Sequence, residues 1–139
     1  MRQWTYQYCT QYGFFQVPDH TNPMRSNLLT LPFWNSYCLR IFPGFKKTQA
    51  DRVESEFGGF NIKGTNTFFV NGSEDPWRWA GMSASDEDLN QVARVVECNN
   101  CGHCLELYTP EDDDPQALKD VRAEIRTWIS DILNAEQIK

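Results

Sequence analysis

The chain has 139 residues, 40% of them hydrophobic and 14% aromatic with five tryptophans, which suits one ordinary domain with a packed core and excludes an intrinsically disordered segment. Nineteen acidic against 13 basic side chains leave a net charge of -6, which argues against nucleic acid as a main partner, because phosphate binding needs a basic face. Part of the imbalance is local: Glu111, Asp112, Asp113 and Asp114 form one run that reads as a solvated loop.

Residues 1–45 are aromatic-rich and loop-heavy, broken by Pro18, Pro23, Pro32 and Pro43. Short helical turns are expected around 3–12 and 34–41. His20, in VPDHTNP, reads as a loop histidine. Segment 48–57, TQADRVESEF, is predicted helical: Thr48 can cap its start, Val53 and Phe57 share a face, and Gly58-Gly59 can end it. Residues 66–70, within TNTFFV, are β-branched and aromatic and predict a buried strand that stops at an Asn71-Gly72 turn. A second strand is predicted over 93–98, with a short polar helix near 85–91 between the two. From Asp114 the pattern turns regular. Asp114 is expected as N-cap and Pro115 as first helical residue. Leu118, Val121, Ile125, Trp128, Ile129 and Ile132 then recur at spacings of three and four, predicting a long amphipathic helix to about residue 134.

The order strand, short helix, strand, long helix describes an α/β class with parallel strands. Two such strands, each expected to be buried on both faces, do not make a stable sheet alone, so the chain reads as the C-terminal end of a larger α/β protein. No apolar run approaches the length of a membrane span. The first residues, MRQWTYQYCTQ, hold no signal-peptide region. That alone suggests the cytosol. Five cysteines (Cys9, Cys38, Cys98, Cys101 and Cys104) point to an oxidising compartment instead. The two signals agree if Met1 is not the native start.

Two short stretches carry candidate chemistry. FFVNGSEDPW places Asp75 a few residues past the first strand, and NNCGHCLEL places His103 a few residues past the second. In a parallel sheet both strand ends lie on the side where α/β folds build their sites. An Asp can accept a hydrogen bond from one imidazole nitrogen and fix the tautomer. The other nitrogen can then take a proton from a serine. The chain order Ser, Asp, His of α/β-hydrolases fits Asp75 before His103. Pattern alone also admits Asp75 as the side-chain cap of a turn and His103 as a surface histidine. CNNCGHC could equally supply zinc ligands from Cys98, Cys101, His103 and Cys104. Asn71-Gly72-Ser73 is a glycosylation sequon, yet its place at a strand end beside the candidate site speaks against a glycan there. Trp77 and Trp79 are substrate-pocket candidates, although aromatics after a buried strand often serve the core.

NGSEDPW followed by GHCLEL resembles the C-terminal signature of the prolyl carboxypeptidase and dipeptidyl peptidase II family of serine exopeptidases. The matching residues are Asn71, Gly72, Asp75, Pro76, Trp77, Gly81, His103, Leu105, Glu106 and Leu107. WTYQYCTQ at 4–11 is similar to the family's Trp-x-Tyr-Gln-x-Cys-Thr-Glu block, and SYCLRIF and EFGGFNI follow in compatible order. Three departures stand out. Glu106 replaces the usual Asp, Gln11 replaces the Glu that lies near the substrate's free end, and Cys104 fills a variable position. Gln11 is therefore a pocket candidate with an altered contact.

The resemblance implies an α/β-hydrolase fold, of which residues 1–139 are the C-terminal portion: an aromatic lead-in over 1–60, then strand, helix, strand and helix over 61–139. It implies Asp75 as triad carboxylate, His103 as general base, and cleavage near a peptide end after proline or a small residue. It implies no metal and no organic cofactor. No Gly-x-Ser-x-Gly elbow occurs in the chain, and GMSAS at 81–85 lacks the closing glycine. The serine is thus expected outside these residues, in a missing N-terminal part that would be the chain's partner, and the segment alone is expected to be inactive and to expose apolar faces. A peptide substrate, a homodimer of the intact enzyme, and a secreted or lysosomal/vacuolar location are also compatible. Nucleic acid and membrane partners are not expected. By resemblance Cys9 pairs with Cys38. A local bridge then falls among Cys98, Cys101 and Cys104, with Cys98–Cys104 expected to clamp the loop of His103.

Overall fold

The computed structural model describes residues 1–19, 21 and 24–136. The expectation for His20 lies outside these residues. The chain divides into two compact units, residues 1–59 and 60–139.

In the first unit, helix α1 (Arg2–Gln7) runs into a π-helical turn (Tyr8–Tyr12). Helix α2 (Leu31–Ile41) is capped by Thr30, whose hydroxyl accepts the Phe33 N–H at 3.4 Å, and Pro32 occupies its first turn. The Cys9–Cys38 disulfide joins the π-helical turn to α2, and both half-cystines are fully buried. Around it the rings of Phe15 and Trp34 stack at 5.8 Å, with Tyr8 meeting Trp34 edge-on at 6.3 Å.

Helix α3 (Ala50–Phe57) ends on Gly58, whose left-handed φ of 92° an L side chain rarely adopts. Its start differs from expectation. Gln49, not Thr48, is the N-cap, and no side chain caps it. The Thr48 hydroxyl instead donates to the Cys9 carbonyl at 2.7 Å, and Gln49 N–H donates to Thr10 O at 3.0 Å. The π-helical turn leaves those carbonyls unfilled, and segment 48–49 satisfies them. Of Val53 and Phe57, four residues apart on this helix, the first is half-buried and the second exposed.

In the second unit, β1 (Thr67–Gly72) and β2 (Gln91–Val96) pair in parallel, with Thr67 opposite Gln91 and Gly72 opposite Val96. The strand from Phe68 extends two residues past the expected stop, so Asn71-Gly72 ends the strand and the turn moves to 73–75. β2 both starts and stops two residues early. Its end is set by the Cys98–Cys101 turn, closed by Cys101 N–H on Cys98 O at 3.3 Å. The short helix expected near 85–91 is a single 3-10 turn, Glu87–Leu89. Asn66 and Asn90, both at positive φ, join their side chains at 2.9 Å under the strand starts.

Helix α4 (Gln116–Glu136) covers one face of the pair. Leu118 and Val121 meet Val96 and Cys101 in the core, flanked by Phe68, Val70, Cys98 and Leu105. Trp128 meets Phe68 edge-on at 5.6 Å, and Arg94 on β2 forks onto Glu124. Within these residues β1 is half-buried along most of its length, and Arg94 and Val95 of β2 are exposed. Asp114 does not cap α4. Its carboxylate accepts the Glu111 N–H at 2.8 Å and the Arg122 guanidinium. No helix among the described residues is long and apolar enough to cross a membrane.

Candidate active site

Two segments meet beyond the C-terminal ends of β1 and β2. The first, 73–75, continues β1. The second, 97–104, continues β2. They are sewn together by backbone. Ser73 N–H donates to Val96 O at 3.0 Å, and Glu74 N–H donates to Cys101 O at 2.9 Å. Side chains add to this: the Ser73 hydroxyl donates to Cys98 O and accepts from Cys98 N–H, each at 3.2 Å, and the Glu74 carboxylate accepts the Asn100 N–H at 3.1 Å. Gly72 lets the segments touch, since a Cβ there would lie 2.3 Å from Cys101 O and 2.4 Å from Gly102 O. Asn71 also faces inward, its amide donating to Met82 O at 3.0 Å, so the sequon asparagine is engaged within the fold.

This seam brings Asp75 to His103, with His103 Nδ1 2.7 Å from Asp75 Oδ2. The carboxylate is 5% exposed and both of its oxygens have partners. Oδ1 accepts the Trp77 N–H at 2.8 Å and so caps the 3-10 turn Pro76–Ala80. The turn-capping and histidine-binding readings of Asp75 are therefore both realised, one on each oxygen. A buried carboxylate with both oxygens occupied is held rigidly. An ionised Asp75 requires the proton on Nδ1, which leaves the Nε2 lone pair to accept. The His103 side chain is 65% exposed, and no described residue bonds Nε2. The arrangement presents an oriented imidazole base to an incoming hydroxyl or water.

The cysteines differ from expectation. Cys9–Cys38 forms, but the local bridge is Cys98–Cys101, with Cα atoms 5.3 Å apart, and Cys104 is the free thiol. Asn100 at φ 62° folds the intervening residues into a tight turn that brings Cys98 and Cys101 within disulfide range. The bridge also takes up two of the four residues that could have bound zinc. Burial first, then the Glu106 and Asp75 carboxylates, push the Cys104 thiol above its ordinary pKa.

The aromatic candidates separate. Trp77 is half-buried. Trp79 is 75% exposed, carries the Arg78 guanidinium over its ring at 4.4 Å, and lines a shallow cavity of about 240 Å³ with Phe60, Asn71 and Glu97. Gln11 lies half-buried in the π-helical turn of the first unit. Sequence reasoning missed the roles of Ser73 and Glu74. Their only signal is position, directly between a strand end and the acid.

Fold and site together define an α/β protein with an acid-oriented histidine at the C-terminal edge of a parallel sheet. The family profile described as serine carboxypeptidase S28 matches residues 1–125, and the chain belongs to that family. It is 34% identical to the probable extracellular serine carboxypeptidase of Arthroderma benhamiae, over 92% of this chain and 20% of that protein. It is 33% identical to the probable serine protease EDA2 of Arabidopsis thaliana, over 73% of the chain and 20% of the relative. The thymus-specific serine protease of Mus musculus is 27% identical over 97% of the chain and 27% of its own length. The chain thus spans about a fifth to a quarter of these relatives. No solved structure matches it.

Proposed function

We propose that these residues are the C-terminal part of the catalytic domain of a serine exopeptidase, with His103 as general base and Asp75 as its orienting carboxylate. The observation that carries the reading is the 2.7 Å contact between Nδ1 and a buried carboxylate, with Nε2 left open, in a chain of the S28 family. A serine from outside these residues attacks the scissile carbonyl while its hydroxyl proton moves to His103 Nε2. The imidazolium, steadied by Asp75, returns that proton to the leaving amine as the C–N bond breaks, and an acyl-enzyme remains. Water repeats the cycle, giving its proton to His103 and its oxygen to the acyl group; the acyl–serine bond breaks and His103 returns the proton to the serine oxygen.

Cleavage near a peptide terminus, after proline or a small residue, follows the resemblance. The family description favours the carboxyl end. A secreted enzyme is supported by the fungal relative described as extracellular; a lysosomal one rests on the resemblance alone. Trp79, exposed beside the Asp75 turn, is the aromatic we assign to the substrate pocket, and Gln11 the altered contact to the substrate's free end.

The test is turnover of peptides with proline at the penultimate position by the whole polypeptide. Asp75→Asn should lower kcat by about 10⁴-fold, because the wrong tautomer faces the serine. His103→Gln should be at least as damaging. A His103→Gln enzyme that keeps its turnover overturns the assignment.

A further inference from the structure

Arg122 sits on α4, where Asp120, Arg126 and Asp131 are exposed and Lys119 and Glu124 half-buried, yet it is only 6% exposed. A guanidinium that deep must place its N–H groups on acceptors. It does so on the stretch directly after His103. Nη2 donates to Leu105 O at 3.0 Å and to Tyr108 O at 2.9 Å, Nε donates to Glu106 O at 3.1 Å, and Nη1 meets the Asp114 carboxylate. The three carbonyls belong to the 3-10 turn Leu105–Leu107 and the residue after it. A cation among the carbonyls of such a turn is favoured by the turn's own dipoles as well as by hydrogen bonding.

One residue, Cys104, separates His103 from this clamp, and it reverses the chain at φ 57°. On the other side of His103, the Cys101 carbonyl is tied to Glu74. His103 is therefore suspended between two anchors. One is the seam to the Asp75 turn; the other is the guanidinium. Without Arg122, three carbonyls lose donors and the downstream anchor is free to swing.

We propose that Arg122 is a positioning residue for the base, which holds the loop after His103 so that Nδ1 faces Asp75. The proposal rests on the assignment of His103 and Asp75 above. Arg122 touches no reacting atom and acts only through the Leu105–Tyr108 backbone.

The test reads the tautomer of neutral His103 from ring ¹⁵N shifts in the whole polypeptide. His103→Gln identifies its signals by their loss. The wild type should favour the Nδ1–H form, and Asp75→Asn should abolish that preference. In Arg122→Met the ratio of Nδ1–H to Nε2–H should fall about tenfold, the scale of one charge-assisted hydrogen bond. Arg122→Lys should recover part of it. Asp114→Asn, which leaves the three carbonyl bonds in place, should resemble the wild type. Amide exchange across β1 and β2 reports whether each variant keeps the sheet. Wild-type tautomer ratios in both Arg122 variants overturn the proposal. Loss of sheet protection in both also overturns it, since Arg122 is then a residue of the core. A wild type without the Nδ1–H preference instead sinks the Asp75–His103 assignment on which the proposal stands.

Discussion

Replacing Gly72 by alanine should disconnect His103 from Asp75 without touching either. Gly72 is not at positive φ, so its backbone does not demand glycine. The constraint is space. The new methyl would sit 2.3 Å from Cys101 O, 2.4 Å from Gly102 O and 2.8 Å from the Cys101 carbonyl carbon. All three are main-chain atoms, so no rotamer change relieves them. Reaching an ordinary carbon–oxygen contact of about 3.3 Å requires the loop to retreat by about 1 Å. His103 is the next residue. If it follows, the 2.7 Å contact to Asp75 opens to about 3.7 Å, beyond hydrogen-bond range. Overpacking of this kind costs about 1–3 kcal/mol, offset by about 0.4–1 kcal/mol from the stiffer unfolded chain, so a net loss of about 1–2 kcal/mol is expected. Activity should suffer more: misplacing a base by about 1 Å costs about 10²-fold in kcat. Urea unfolding and peptide turnover of the whole polypeptide measure the two effects. A Gly72→Ala enzyme with wild-type kcat would refute the claim that loop spacing sets the geometry of the pair.

Three other expectations follow from groups outside that contact. Replacing Cys9 and Cys38 by serine removes a cross-link spanning 29 residues and should lower stability by roughly 3.6 kcal/mol, measured by urea unfolding; an unchanged midpoint would count against the bridge. The Glu111 N–H first, and then the Arg122 guanidinium, hold the Asp114 carboxyl below its ordinary pKa. That stabilisation is present above the unfolded pKa and disappears as pH falls through the folded one, so Asp114→Asn should flatten the acid limb of stability against pH. Alkylation without reductant should modify Cys104 alone, slowly, with a midpoint above that of an ordinary thiol; modification of three cysteines would exclude the Cys98–Cys101 bridge.

The elements were legible where a period or a punctuating residue dictates them. The 3.6-residue spacing of Leu118, Val121 and Trp128 marks α4, and the β-branched and aromatic run at Phe68 marks β1. The meeting of Asp75 and His103 was only partly legible: each follows a strand by a few residues, which in a parallel sheet puts both on one side, but that spacing alone did not separate the pair from a turn cap and a surface histidine, and the family resemblance singled it out. The disulfide was not legible. Cys98, Cys101 and Cys104 allow three pairings at similar spacing, and the left-handed Asn100 that selects one of them is a backbone choice that composition does not announce. Thr48 was misjudged because a hydroxyl before a helix looks like a cap until a distant carbonyl competes for it. Arg122 was invisible for the opposite reason. An arginine in an amphipathic pattern reads as surface, and the carbonyls of the 3-10 turn together with the Asp114 carboxylate make burying this one tolerable.

The seam between the two post-strand segments bears on when the pair assembles. Asp75 and His103 are 28 residues apart, separated by the crossover from β1 to β2, by β2 itself and by the loop that follows it. Once β1 and β2 zip together, loop closure for that crossover has already been met, and bringing acid to base adds almost no further entropic barrier. The geometry of the pair should therefore mature at the rate of sheet formation, which is slow for parallel strands paired across a crossover. Its arrival in a refolding experiment should coincide with protection of the strand amides.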